Sequence, residues 1–459
     1  MASVNAFIAA NRFGLGARPG DLSTIDKDPQ HWLESQIARG ATIPSRLKQY
    51  SGTKQRLAAI TNARRESNRQ AGKIARSIAM EQSAGEIIDR FTTRLETDTP
   101  FTERLVSFWA NHFSISRNKQ YLPALTPAYE REAIRPHIFG SFGDLLVAAV
   151  THPAMLIYLD NVQSIGPNSF FGKRRDRTIN ENLAREVLEL HTLGVDGGYT
   201  QEDIEEFAKA LSGWAYAGLG RVEDNARIQR SFGGAIATSV GEATFYAPLH
   251  EPGPKRVLGR RYPEDGAGET LAILKDLAQH PSTATFIATK LARHFIADDP
   301  PQTVVRALAR RYRETDGHLA SIYRTLIGLT EVWATPLPKV KPPQDFIVSG
   351  LRALGIIRMR GSWFRDPLTQ MGHSPFNAPS PQGWPDVAEA WISPGSLMRR
   401  VEWARSIVDQ VDTMPNPQTL LEDTIGPVAT KETRTLVRGA PSGAEAVGFV
   451  LASIEHQRR

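Results

Sequence analysis

The sequence predicts a mainly α-helical fold, one large multi-helix domain with a small β-containing excursion near the middle. Apolar residues recur at steps of three and four over most of the chain, the spacing that lines one face of a helix. That spacing disappears between residues 215 and 262, where glycine is frequent and the runs TFYAPLH and RVLGRRY read as short strands. At 459 residues the chain can bury a large core, and its parts 1–214, 215–262 and 263–459 are expected to form one integrated domain.

Composition narrows the class. Hydrophobic residues make up 41% and charged residues 23%, the balance of a soluble globular protein. The net charge of +6 suits an anionic substrate or partner but gives no reason to expect specific nucleic-acid binding. Without cysteine the chain has no disulfide, zinc–thiolate site, iron–sulfur cluster or thiol nucleophile. Its longest apolar stretch, 144–159, is interrupted by Thr151, His152 and Pro153, so no membrane span is expected. The start carries no basic, apolar leader, which makes the cytoplasm the expected compartment and leaves the periplasm open.

Taken in order, residues 6–13 form an apolar helical turn ended by Gly14 and Gly16. Residues 29–38 place Trp32, Leu33 and Ile37 on a short amphipathic helix. From 45 to 96 the chain is polar and basic, a long helix or helix pair. Lys54, Arg56, Arg64, Arg65, Arg69, Lys73 and Arg76 are expected to be solvent-exposed along one side. Residues 100–113 put Leu105, Phe108, Trp109 and His112 on one stripe, with Asn111 beside them. A helix over 145–150 precedes Pro153, which suits the first turn of the next. FFGKRRDR, ending at 177, reads as a basic aromatic loop.

Residues 180–214 are the most informative stretch. Leu183, Val187, Leu190 and Gly194 predict the buried stripe of a helix whose other face carries Asn182, Arg185, Glu186 and Glu189. Gly194 is placed for a left-handed C-cap and Gly197–Gly198 for the reversal. Thr200 and Asp203 form a capping box opening a second helix, with Ile204, Phe207, Ala208 and Leu211 buried and Trp214 at its end.

Beyond the excursion, residues 281–295 bury Phe286, Ile287, Leu291 and Phe295, and the same stripe carries Lys290 and His294. A lone ammonium there needs a carboxylate or an open cleft. A helical hairpin turns at Asp316–Gly317, and a further helix covers 346–354. Residues 371–391, with four prolines and with Trp384 and Trp391, must be a packed loop. Helices over 395–408 and 444–456 complete the chain.

The segments ANRFGLG, ERLVSFWANHF, NENLAREVLELHTLGVDGGYT, LSGW, HEPGPKRVLG, ARHFIADDP, KVKPPQDF, NAPSPQGWPD and LASIEHQRR resemble, in order and over nearly the whole chain, the large bacterial domain-of-unknown-function family numbered 1800. The resemblance transfers no activity, cofactor or catalytic residue. It implies a partner or a shared pathway, not a mechanism, because genes of that family often stand beside a second uncharacterised family of sulfatase-like appearance.

Several mechanisms lack their residues. There is no G-x-S-x-G elbow, and Gly172–Lys173–Arg174 lacks the hydroxyl of a phosphate loop. A calcium loop starting at Asp196 fails at Gly198 and Phe207. His191 has Leu188, not glutamate, three residues before it, so its helix supplies no di-iron pair and no metal ligands are assigned. Carboxylate chemistry remains. Glu186 and Glu189, one turn apart, are candidates for general acid and base, with His112, His191, Lys290 and His294 as further catalytic or charge-holding groups. Trp109, Trp214 and Trp384 are candidates to stack on sugar rings, and Asn111 and Arg185 to make polar substrate contacts. Arg185 also pairs at four-residue spacing with Glu181 and Glu189, so a solvated salt-bridge ladder is the competing account. Three readings stay open. One is a hydrolase or lyase acting on a polar or anionic carbohydrate. The second is a non-catalytic helical scaffold that binds a neighbouring gene product. The third is a metal-dependent enzyme with ligands drawn from different helices. No cofactor is identified.

Overall fold

The computed structural model describes residues 2–65, 69–119, 121–174, 178–218, 241–358 and 360–459. Helices dominate this part of the chain. Its strands form two antiparallel ribbons, Trp214–Tyr216 with Ala243–Phe245 and Lys255–Val257 with Arg260–Tyr262. Both ribbons fall where the helical period fails. Residues 175–177 of the basic aromatic loop and 219–240 of the excursion lie outside the described residues.

One buried apolar cluster runs from Ala6 to Leu451 and draws side chains from both helical halves. Local signals set many of its element ends. Asp28 accepts from His31 N at 2.9 Å and opens the helix Pro29–Arg39. Thr200 and Asp203 make both bonds of the capping box before Gln201–Leu211. Gly194 takes φ +86° at the end of the preceding helix. The basic stretch is a helix pair, Thr53–Arg65 and Arg69–Glu96.

Three expectations are corrected. Residues 182–192 do not keep an α-helical period: Asn182–Glu186 is α-helical and Val187–Thr192 is a π-turn, in which Leu193 N donates to Leu188 O at 2.9 Å, five residues back. The wider turn rotates His191 and Thr192 onto the buried face and leaves Leu190 only half-buried. Arg56 does not share the exposure of Lys54, Lys73 and Arg76. It is buried, and it bonds Glu86 at 2.5 Å and Ala124 O at 2.7 Å. The side chains of Arg64, Arg65 and Arg69 lie outside the described residues. The final helix is two, Gly443–Ala452 and Ile454–Gln457, because Ser453 adopts an extended conformation and caps the second.

Buried arginines join elements far apart in sequence. Arg104 donates to Gly14 O at 2.5 Å and to Asp345 at 2.7 Å. Arg352 donates to Gly16 O at 2.8 Å and to Arg94 O at 2.9 Å. Arg12 reaches the carbonyls of Val332 and Thr335. Arg135 and Glu103 form a two-pronged pair at 2.6 and 2.7 Å with both side chains almost fully buried. Removing one partner of such a pair strands the other charge, a cost of about 3–5 kcal/mol. Glu103→Gln is therefore expected to lower unfolding stability by about that amount, read as a fall in the urea midpoint at unchanged slope. A midpoint within error of the parent would show that the pair is not coupled to the core.

Candidate active site

Four segments wall a cavity of about 320 Å³. The helix Arg69–Glu96 contributes Arg90 and Arg94, and Pro100–His112 contributes Arg104, Ser107, Phe108, Asn111 and His112. Pro281–Phe295 contributes Lys290, Arg293 and His294. The proline-rich loop closes one side through His373, Phe376 and residues 382–387, with Glu130 and Asp345 completing the lining. The volume is at the small end of small-molecule sites.

The loop is held by specific bonds. The Asn111 side-chain amide donates to Trp384 O at 2.9 Å and accepts from Trp384 N at 2.7 Å. Gly383 lies so close that a Cβ there would sit 2.4 Å from Asn111 O, and its φ of +83° favours glycine independently. Phe376 holds φ +53°, a strained value for a bulky residue, while its carbonyl accepts from Arg117 N at 3.0 Å. Asp298 accepts from Ala388 N at 2.7 Å and pairs with Lys339 at 2.6 Å. Lys339 in turn donates to Asp386 O at 2.8 Å.

Asp386 and His294 meet on the cavity wall, with Asp386 Oδ2 2.5 Å from His294 Nδ1. Burial alone would raise the Asp386 carboxyl, but His294, Lys339 and Arg459 hold it well below the usual carboxylate range. Burial pushes the His294 imidazole down to about 4, against the opposing pull of Asp386. The ring is therefore neutral near pH 7. Nδ1–H donates to the carboxylate, which leaves the lone pair on Nε2, and Nε2 has no partner among the described residues. The imidazole is thus oriented by a carboxylate, and its basic nitrogen is buried and unpartnered among the described residues, features that a general base uses.

The surrounding groups are charged and closely packed. Glu130 accepts from Arg90 Nε at 2.6 Å through Oε1, while its buried Oε2 lacks a partner among the described residues. His373 stacks on Trp391 at 4.9 Å and meets Trp384 edge-on at 4.7 Å, and burial takes it down to about 3. Lys290 lies over the Phe286 ring at 5.5 Å, and burial lowers it to about 8, with Asp386 acting in the other direction. His112 Nε2 donates to His191 O at 3.1 Å, and burial keeps its ring well below the usual histidine range.

The profile of proteins of unknown function called DUF1800 matches residues 8–458. The chain belongs to the DUF1800 family. No curated protein and no solved structure matches it.

In this DUF1800 protein the expected site residues divide into groups. Lys290, His294, His112, Asn111 and Trp384 line the cavity. Asn111 spends its amide on the loop backbone. Trp109 does not present a face for stacking: it is fully buried and donates to Tyr323 Oη at 2.6 Å. Trp214 stands outside the cavity, donating to Thr270 Oγ1 at 3.0 Å. Glu186, Glu189 and Arg185 are also absent from its lining. Arg185 bridges Glu181 at 3.1 Å and Glu189 at 3.8 Å, so the salt-bridge ladder forms. Burial and then Glu189 raise the Glu186 carboxyl. The expected contact of Lys290 with Glu186 or Glu189 is not among the ion pairs of the described residues; Lys290 feels Asp386 instead. His191 is fully buried behind His112, with both ring nitrogens unpartnered among the described residues, and burial and then Lys290 lower it to about 3. No three histidine, aspartate or glutamate side chains among the described residues are placed to hold a metal ion.

Arg90, Arg94, Glu130, Asp345, His373 and Asp386 were not singled out from the sequence. For Arg90 and Arg94 a signal existed, because with Ile87, Phe91 and Leu95 they make polar interruptions of an apolar helical stripe. Asp386 and His373 sit in irregular backbone, where spacing assigns no face.

His191, His294 and His373 titrate far below the unfolded value of 6.5. Protons therefore favour the unfolded chain as pH falls below 6.5, and stability is expected to drop by about 1.4 kcal/mol per pH unit for each such ring until its folded value is reached. Urea midpoints at pH 7.5 and pH 5 measure this; an equal or higher midpoint at pH 5 would show that the buried rings accept protons without cost.

Proposed function

We propose that the cavity is an active site in which His294 Nε2 takes a proton from a small polar substrate, or from a water that attacks it, while Asp386 fixes the tautomer and stabilises the imidazolium. The reading is a hydrolase or lyase and rests on one observation, the 2.5 Å His294–Asp386 contact in a cavity-lining histidine whose Nε2 is unpartnered among the described residues. It differs from an assignment to Glu186 and Glu189, whose oxygens do not line the cavity. Proton removal is the first step common to both reaction types. The position of Asp386 supports it further. Lys339 and the Asp298 bonds fix the carboxylate, so the ring cannot rotate away without breaking the loop anchor.

A thermal-shift screen of small polar metabolites, followed by a turnover assay on those that stabilise the protein, tests the proposal. His294→Gln is expected to reduce turnover roughly 10²–10⁴-fold, the usual worth of a positioned base, with ligand-induced stabilisation kept. Asp386→Asn is expected to reduce turnover through the wrong tautomer. In the parent, kcat/KM should fall as pH drops through about 4, where His294 becomes charged. Turnover of the parent magnitude in His294→Gln would overturn the reading.

A further inference from the structure

The cationic groups of the cavity outnumber the anions available to them. Arg94 is 2% exposed, yet no carboxylate of a described residue lies within ion-pairing distance of its guanidinium. Its partners are neutral: Ser107 Oγ, and Gln344 Oε1 at 3.4 Å. Its Nε has no partner among the described residues. The three carboxylates whose field reaches Arg94 are Glu130, Glu103 and Asp345. Each is engaged by another arginine, Glu130 by Arg90 at 2.6 Å, Glu103 by Arg135 at 2.6 Å, and Asp345 by Arg104 at 2.7 Å and Arg459 at 3.0 Å. Five guanidiniums thus share these three carboxylates and Asp386, which Arg459 also reaches at 3.6 Å.

Lys290 is in the same position on the opposite helix. Its Nζ lies over the Phe286 ring, 5.5 Å from the centroid, and no carboxylate of a described residue lies within ion-pairing distance. The acid among the described residues whose field reaches it, Asp386, is occupied by Lys339 at 3.2 Å, by Arg459 at 3.6 Å and by His294. A buried cation without a counter-charge is costly. Arg94, buried, and Lys290, half-buried, line the same cavity and make a place for an anion brought from outside. The cavity-lining Glu130, whose buried Oε2 is unpartnered among the described residues, would repel that anion if they met, but Oε2 accepts well from a hydroxyl.

We propose that the cavity binds a small hydroxylated oxyanion, a sugar acid or sugar phosphate, with the acid group held by Arg94 and Lys290 and a hydroxyl held by Glu130 Oε2. The assignment rests on the active-site reading above and names its substrate class. The Arg94 fork suits both carboxylate and phosphate oxygens, so the probes separate the two sources.

The test is titration of the full chain with gluconate, glucose 6-phosphate, inorganic phosphate and glucose, read by calorimetry and by melting temperature. Gluconate or glucose 6-phosphate is expected to bind and raise the melting temperature, while uncharged glucose does neither; which of the two binds tells carboxylate from phosphate. Arg94→Met is expected to weaken that binding roughly tenfold or more and to leave the ligand-free protein at least as stable as the parent, because it removes an unpaired buried charge. If Arg94→Met does not fold, Lys290→Met, at a half-buried position, must weaken binding in the same way. Glucose binding as well as the anions, no binding by either anion, or unchanged affinity in these variants overturns the assignment. His294→Gln separates it from the proton-transfer reading. Oxyanion binding without dependence of turnover on His294 sinks only the latter. Dependence on His294 in a protein that takes no oxyanion sinks only the former.

Discussion

The fold depends on guanidinium groups taken out of water and tied to the backbone of distant segments. Arg12, Arg135, Arg352, Arg400 and Arg459 are among the largest fully buried side chains. Burying a guanidinium is costly unless it is paired or hydrogen-bonded, so each arginine draws carbonyls or carboxylates to it, although Nε of Arg12, Arg135, Arg400 and Arg459 stays unpartnered among the described residues. Arg352 gathers Gly16, Arg94 and Leu95 carbonyls from the N-terminal half. Arg400 donates to Lys341 O at 2.9 Å. The irregular N-terminal turn and the helices on either side of the cavity are thereby fixed relative to one another by directional bonds as well as by apolar contact.

That constraint explains why a polar cavity exists inside a helical protein. The π-turns at 9–13 and 187–192 carry the buried Arg12 and His191, and the one at 130–134 opens with the buried Glu130. The proline-rich loop then lies across the gap, clamped by Asn111 and carrying the strained Phe376 and the anchored Asp386. Strain of this kind persists only where surrounding bonds over-determine it. The histidines beneath the loop are held neutral by burial, so the charge of the cavity comes from arginine and lysine, while His294 remains a base.

Helical periodicity, prolines, glycines and caps were enough to identify the helical class, the Thr200–Asp203 capping box, the left-handed Gly194 and the non-helical loop around Trp384, because each depends on residues within a few positions of one another. The same local reasoning placed Lys290 and His294 where an unpartnered polar group needs an explanation. It could not say which acid faces them. Asp386 is 92 residues from His294 and lies in backbone without a period, so only the folded chain sets them 2.5 Å apart. Nor could spacing reveal that a π-turn exchanges Leu190 for His191 on the buried face, since the hydrogen bonds that widen the turn are chosen by packing. The sequence by itself determined the helices and the polar residues that break their apolar stripes. The tertiary structure decided which of those residues share a cavity, because ion pairing and burial act between segments that no local pattern connects.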